Sequence, residues 1–249
     1  MSQSVAEALT RSVKAGRLSA DAEQARAAAA LDRVLTGLTQ ARGGWFRRRG
    51  EAPAGAWLHG PVGSGKSLLM SLAFEAAGEP RKARLHFHDF MAQTHDGLET
   101  ARQSGARDPI DVVAKAMAER ARLFCLDEAE VNDIADAMIL GRYFEALFAR
   151  GVTVIATSNR APSELYLNGI NRQLFEPFID LICERMPVLR LDGGKDYRRR
   201  ALAGADLWLS PLNPDTRARL DTIWAAATGG ASEIAETVRV KGREIAVPR

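Results

Sequence analysis

Gly60-Pro61-Val62-Gly63-Ser64-Gly65-Lys66-Ser67 is the segment of this chain best equipped for chemistry. A glycine, four residues, then Gly-Lys-Ser is the pattern of a loop that wraps phosphates. Its glycines let the backbone curl until successive N–H groups point inward at an anion. In such a loop Lys66 reaches the β- and γ-phosphates, and the Ser67 hydroxyl takes one position on Mg²⁺. The helix that follows the loop adds the positive end of its dipole. A chain of this composition produces the pattern by chance in roughly 0.4% of shuffled orders, so composition alone does not explain it. The setting also fits. The apolar run Ala56-Trp57-Leu58-His59 precedes the loop and Leu68-Leu69-Met70 follows it, giving strand, loop and helix in the required order.

Two further strand ends carry polar groups. Leu123-Phe124-Cys125-Leu126 runs into Asp127-Glu128. Beside a phosphate loop, Asp127 would serve the metal shell and Glu128 would orient and deprotonate a water for attack on the γ-phosphate. Taken alone, the same residues read equally well as a strand capped by an acidic helix start that continues through Glu130 and Asp133. Val154-Ile155-Ala156-Thr157-Ser158 ends at Asn159. Ligands of an open parallel sheet bind beyond the carboxyl ends of its strands. Asn159 would therefore emerge beside Asp127 and Glu128 if these two strands flank the phosphate-loop strand, and could bond the γ-phosphate or the attacking water. A turn-capping Asn is the plainer alternative.

These residues need a scaffold, and the hydrophobic pattern supplies one. Short apolar runs alternate with longer helical patterns, the mark of crossover units and a parallel sheet. The runs place strands at Ala56–His59, Arg84–His88, Leu123–Leu126, Val152–Thr157 and Val188–Leu191. Helices fall near 66–77, 90–102, 110–121, 134–149 and 171–184. Within 134–149, Leu140, Tyr143, Phe144, Leu147 and Phe148 share one face. Two Ala-rich helices near 3–15 and 20–40 precede the core. Between them and the core lies a basic, breaker-rich connector from Arg42-Gly43-Gly44 through Gly50 and Pro53. After Asp192, Gly193-Gly194 breaks the chain; a helix near 213–226 and a hairpin over Val238–Val247, turning at Lys241-Gly242, follow. The expected division is residues 1–50, a nucleotide-binding core at 51–192, and a partial extension at 193–249.

Composition narrows the function classes. The 249 residues are 46% hydrophobic and 26% charged, which is ordinary for a globular chain. No stretch of about 18 apolar residues exists to span a membrane, and the N-terminus lacks the apolar centre of a secretory signal. Cys125 and Cys183 cannot build a disulfide framework; both lie in apolar runs that read as core and point to a reducing compartment. Of the formal +3, residues 1–50 carry +5 and the remainder −2. The dense basic runs are Arg47–Arg49 and Arg198–Arg200, each more typical of a solvated loop than of a nucleic-acid patch. Scattered aromatics give no platform for single-stranded nucleic acid. His86 and His88 alternate on a predicted strand, yet no third ligand stands at zinc spacing.

The order of elements resembles an AAA+ ATPase, and the wording is closest to the family that includes the bacterial cell-division ATPase ZapE and its mitochondrial relatives. The residues that carry this are Leu18-Ser19-Ala20-Asp21 with Gln24, the phosphate loop from Trp57, and His86-Phe87-His88-Asp89-Phe90-Met91. Asp133 to Leu140, Ala156-Thr157-Ser158-Asn159-Arg160-Ala161-Pro162, and Leu174-Phe175-Glu176-Pro177-Phe178-Ile179-Asp180 extend the match, which covers residues 5 to 249.

The resemblance implies an α/β fold, a P-loop NTPase three-layer sandwich on a five-stranded parallel sheet. It implies ATP and Mg²⁺ as ligands, held by Gly60 to Leu68 and by Ser67 with Asp127. Lys66, Glu128 and Asn159 would act in hydrolysis. Arg172 would be an arginine finger inserted into a neighbouring subunit, which requires self-association; the residue by itself reads as a surface helix position. Family members couple hydrolysis to protein partners, in bacteria the division machinery. This chain would then be cytoplasmic, acting at the inner membrane or division site, with peripheral membrane association an open point. The match starts within the first few residues and leaves no room for a transit peptide, which favours a bacterial lineage.

Two departures stand out. Ala129 occupies a position where the family usually carries an aromatic. After Arg243-Glu244-Ile245-Ala246-Val247-Pro248-Arg249 the helical lid of the family is not reached, which leaves the C-terminal extension incomplete and offers no second sensing arginine. Two other functions share the motifs: a nucleotide-dependent DNA-remodelling or loader-type ATPase, and an ATP-binding interaction module with little turnover.

Overall fold

The computed structural model describes residues 4–40, 55–131, 133–192, 209–211, 213–228, 236–240 and 243–247. The predicted connector, with Arg47–Arg49, and the segments holding Gly193-Gly194, Arg198–Arg200 and Lys241-Gly242 lie outside the described residues. The chain divides into two compact units, Met1–Gly194 and Lys195–Arg249.

Five parallel strands form the first unit's sheet. They are β1 (Ala56–His59), β2 (Lys82–His86), β3 (Leu123–Asp127), β4 (Thr153–Ser158) and β5 (Val188–Arg190), in the order β2-β3-β4-β1-β5. Trp57 stands opposite Ala156 on one side and Val188 on the other, and Cys125 stands opposite Ile155. Helices connect the strands: α3 (Lys66–Ala76), α4 (Phe87–Gln103), α5 (Pro109–Arg120), α6 (Ile134–Ala149) and α7 (Glu176–Arg185), preceded by α1 (Val5–Lys14) and α2 (Ala22–Gln40).

Side-chain alternation explains why both sheet faces are covered. Leu58, Leu123, Cys125 and Ile155 face one way, into a core with Leu31, Leu35, Leu69 and Met70 of α2 and α3. Trp57, Phe124, Leu126, Val154 and Ala156 face the other way, against Phe90, Tyr143, Phe144 and Phe178 of α4, α6 and α7. Every residue of β3 and β4 is buried, and Leu123 to Leu126 and Val154 to Ala156 read as the continuous apolar runs expected of strands covered on both faces. The outcome is the expected three-layer α/β sandwich. The helical stripe predicted on α6 is fully internal, with Leu140, Phe144 and Leu147 at 0% exposure.

Several expectations need correction. The second strand ends at His86, not His88. Phe87, Phe90, Met91, Thr94 and Leu98 are buried at helical spacing, so α4 begins at Phe87 and His88 lies in its first turn. His86 and His88 therefore do not share a strand face. No continuous helix starts at 171: Arg172–Leu174 is a single 3₁₀ turn entered through Asn171 at φ 60°, and α7 opens at Glu176 with Pro177 in its first turn. Cys125 is buried but Cys183 is exposed, because the inward face of α7 is Phe178, Ile179 and Ile182. Burial pushes the Cys125 thiol up to about 12, with Arg84 acting in the opposite sense.

The second unit contains α8 (Pro214–Thr228), begun by Asn213, whose Oδ1 accepts from Thr216 N at 2.9 Å. It also contains an antiparallel hairpin of β6 (Glu236–Val240) and β7 (Arg243–Val247). Among the described residues, no helix is long and apolar enough to cross a membrane.

Candidate functional site

The loop between β1 and α3 is curled by three glycines at positive φ: Gly60 (147°), Gly63 (83°) and Gly65 (94°). A Cβ on Gly60 would lie 1.9 Å from the Leu191 carbonyl oxygen, so the loop leaves β1 tight against the end of β5. Gly65 caps α3 in the left-handed conformation. Lys66 is buried to 7% exposure, and its Nζ donates to the carbonyls of Gly60 (2.7 Å) and Pro61 (2.8 Å). Its charge is thus stored within the loop. Val62 at the loop tip is 63% exposed, and Pro61 is exposed too. His59, at the end of β1, is pushed below its ordinary value by burial, which outweighs Glu164.

Asp127 sits at the centre of the polar network. Ser67 Oγ donates to its Oδ1 at 3.0 Å, Thr157 Oγ1 donates to the same oxygen at 2.5 Å, and Arg84 Nη2 donates to Oδ2 at 2.5 Å. Burial of this side chain acts to raise its pKa. The bonds from Thr157, Arg84 and Ser67 together with the Arg84 charge outweigh it and hold the group below the ordinary carboxylate range. A carboxylate and a hydroxyl converging at the start of α3 match what Mg²⁺ takes from a protein, one or two oxygens beside phosphates. The residues present fit the metal.

Glu128 follows at φ 57°, exposed, while its backbone N donates to Thr157 Oγ1 at 2.9 Å. A non-glycine residue in this region carries strain of about 1–3 kcal/mol, which persists only where neighbours enforce it. Here Thr157 enforces it twice, since its carbonyl also accepts from Ala129 N at 2.7 Å. Asp127 and Glu128 are therefore not a helix start; of the acidic run, Asp133 caps α6 through a bond from Asp136 N at 2.8 Å.

Asn159 needs a correction of placement. The strands β3 and β4 do not flank β1: β4 lies between β1 and β3, and β5 is the other neighbour of β1. Exposed Asn159 donates from Nδ2 to Glu130 Oε1 at 2.7 Å. The segment after β4 is tied back to β1 by Trp57 Nε1, which donates to Arg160 O at 3.2 Å.

Arg172 is not gathered with these residues. Its Nη2 donates to Ser163 O at 2.6 Å and its Nη1 lies 3.7 Å from Glu176 Oε1, while its Nε is buried without a hydrogen bond. The reading of the motifs gave no site role to three residues that the fold brings in: Arg84, Thr157 as a donor, and Gln24, which it named only for the family resemblance. Arg84 alternates in step with Lys82 and His86 along β2, so the strand carries no local signal that its guanidinium meets Asp127.

The sheet order, phosphate loop and paired strand ends define a P-loop AAA+ protein. Solved structures agree on the fold. AMPPCP-bound DnaA from Aquifex aeolicus superposes with a TM-score of 0.51 at 16% identity, over 86% of this chain and 65% of that one. Domain III of the Thermotoga maritima replication initiation protein DnaA gives 0.51 at 15% identity, over 88% and 90%. The model of the AFG1-like ATPase family matches residues 3–249, and the chain belongs to that family. It is 46% identical over 192 residues to the cell division protein ZapE of Escherichia coli K12, covering 77% of this chain and 51% of that protein. It is 38% identical over 209 residues to lactation elevated protein 1 homolog B of Danio rerio, covering 79% and 42%. The chain thus spans about half the length, or less, of these relatives.

Proposed function

We propose that this chain binds Mg·ATP at Gly60–Ser67 and hydrolyses it, and that hydrolysis drives remodelling of a protein partner. The observation that carries the reading is the 3.0 Å contact between Ser67 Oγ and Asp127 Oδ1 at the mouth of a glycine loop. Lys66 would exchange the Gly60 and Pro61 carbonyls for phosphate oxygens, keeping its charge paired. Ser67 and Asp127 would hold Mg²⁺, which when bound offsets the negative charge of the phosphates. Glu128, exposed and next in chain, would take the proton of the attacking water. Asn159 is assigned to sense the γ-phosphate, which requires it to leave Glu130.

Arg172 is assigned to a neighbouring copy's site, which requires it to leave Ser163 and Glu176. Assembly would then raise the rate per subunit. The likeness to ZapE supports a division-related partner in a bacterial cytoplasm, at the inner membrane or division site.

Changing Glu128 to Gln tests the assignment. Binding of ATP measured by calorimetry should persist while phosphate release falls at least a hundredfold. Retained hydrolysis would reject Glu128 as the base. Loss of binding in Lys66→Ala with retained fold would establish the loop as the nucleotide site.

A further inference from the structure

The phosphate loop is held from outside by the N-terminal helix. When the N–H groups of a loop turn inward toward an anion, its carbonyls turn outward and need partners of their own. Ser64 is 1% exposed, so water does not supply one. Gln24, on the first turn of α2 and 2% exposed, does: its Nε2 donates to Ser64 O at 3.0 Å. Gln24 shares the buried face of α2 with Ala27, Ala28 and Leu31, and burying a primary amide there is costly unless such a bond is made.

The same side chain lies flat on the next residue. A Cβ at Gly65 would be 2.7 Å from Gln24 Nε2 and 3.2 Å from its Cδ. Gly65 is therefore required for its φ of 94° and for the approach of this amide.

Gln24 is itself fixed. Asp21 Oδ1 accepts from the backbone N of Glu23 (2.8 Å) and of Gln24 (3.0 Å), which locks the start of α2. Glu23 Oε2 accepts from Asp192 N at 2.6 Å, just past β5. One helical turn thus touches the phosphate loop and the chain beyond the neighbouring edge strand.

We infer that Gln24 is a positioning residue for nucleotide binding, which sets the inward turn of the Ser64–Gly65 peptide and makes the first turns of α2 respond to occupancy of the loop. The inference rests on the nucleotide reading of Gly60–Ser67. A helix wired to the loop by one buried amide gives the N-terminal segment a way to report the nucleotide state.

The test compares wild type with Gln24→Met, which keeps the length of the side chain and removes its amide, and with Lys66→Ala. Affinity for Mg·AMPPCP is measured by calorimetry, and the free-protein melting temperature serves as a folding control. Gln24→Met should stay folded but melt a few degrees below wild type without ligand, because Ser64 O loses its buried partner, and bind about tenfold more weakly, a loss of about 1.4 kcal/mol. Packing alone would leave the Met variant's affinity unchanged, and that result overturns the inference while the site reading stands on Lys66→Ala. Failure of wild type to bind overturns both. Amide hydrogen exchange of residues 22–28 in wild type provides an arm free of mutation. Protection that rises on adding Mg·AMPPCP supports the coupling, and unchanged protection overturns it.

Discussion

The Thr157 hydroxyl donates to Asp127 Oδ1 at 2.5 Å, so the end of the central strand fixes the carboxylate at the end of its neighbour. Both side chains are buried, at 0% and 1% exposure. Thr157 Oγ1 also accepts from Glu128 N, which makes Thr157 the joint between the proposed metal ligand and the proposed base.

Thr157→Val, close to isosteric, removes both bonds and leaves a buried carboxylate oxygen and a strained N–H less satisfied. It should lower stability in urea by about 1–3 kcal/mol. Thr157→Ser keeps the hydroxyl and loses one methyl, about 0.8 kcal/mol. A Thr157→Val variant as stable as wild type would show that the hydroxyl contributes nothing.

Asp127 gives a pH signature. Its folded value lies below the ordinary 3.8, because bonds from Thr157, Arg84 and Ser67 with the Arg84 charge overcome the opposing effect of burial. The unfolded chain therefore binds the proton first. The stabilisation is fully present above 3.8 and is lost as pH falls through the lower folded value. Urea titrations of wild type and Asp127→Asn from pH 5 downward should converge in that acid window. Parallel curves would mean that Asp127 is not held ionised by the fold.

Glycine replacements should rank by geometry. Alanine at Gly60 meets the Leu191 carbonyl backbone at 1.9 Å, whereas at Gly65 it meets the end of a side chain at 2.7 Å. Gly60→Ala should destabilise most, by more than about 1 kcal/mol, and Gly65→Ala less. A Cβ on Gly78 meets nothing within 4 Å, so Gly78→Ala should be neutral or stabilise by up to about 1 kcal/mol. Thermal melts of the three variants check the order.

Much of the scaffold was legible because burial writes itself into periodicity. The centres of β1, β3 and β4 are apolar since both sheet faces are covered, and their polar residues fall at the strand ends. The α6 stripe reads as a helix since one face packs inward. The misplacement of β2 has the same physics. His86-Phe87-His88 alternates like a strand over three residues, and only the recurrence at Phe90, Met91 and Thr94 shows that the chain has already turned into a helix.

The sequence by itself determined the phosphate loop, the Asp127-Glu128 pair and the polar end at Asn159, because each is a local pattern of residue types on a few consecutive positions. Tertiary structure alone decided who touches whom. Strand order set β4 between β1 and β3 and so brought Thr157 to Asp127 across 30 positions. It brought Arg84 to the same carboxylate across 43 and Gln24 to Ser64 across 40. Such contacts join residues whose separation along the chain carries no periodic signal, and their energetics depend on burial that exists only once the layers have packed.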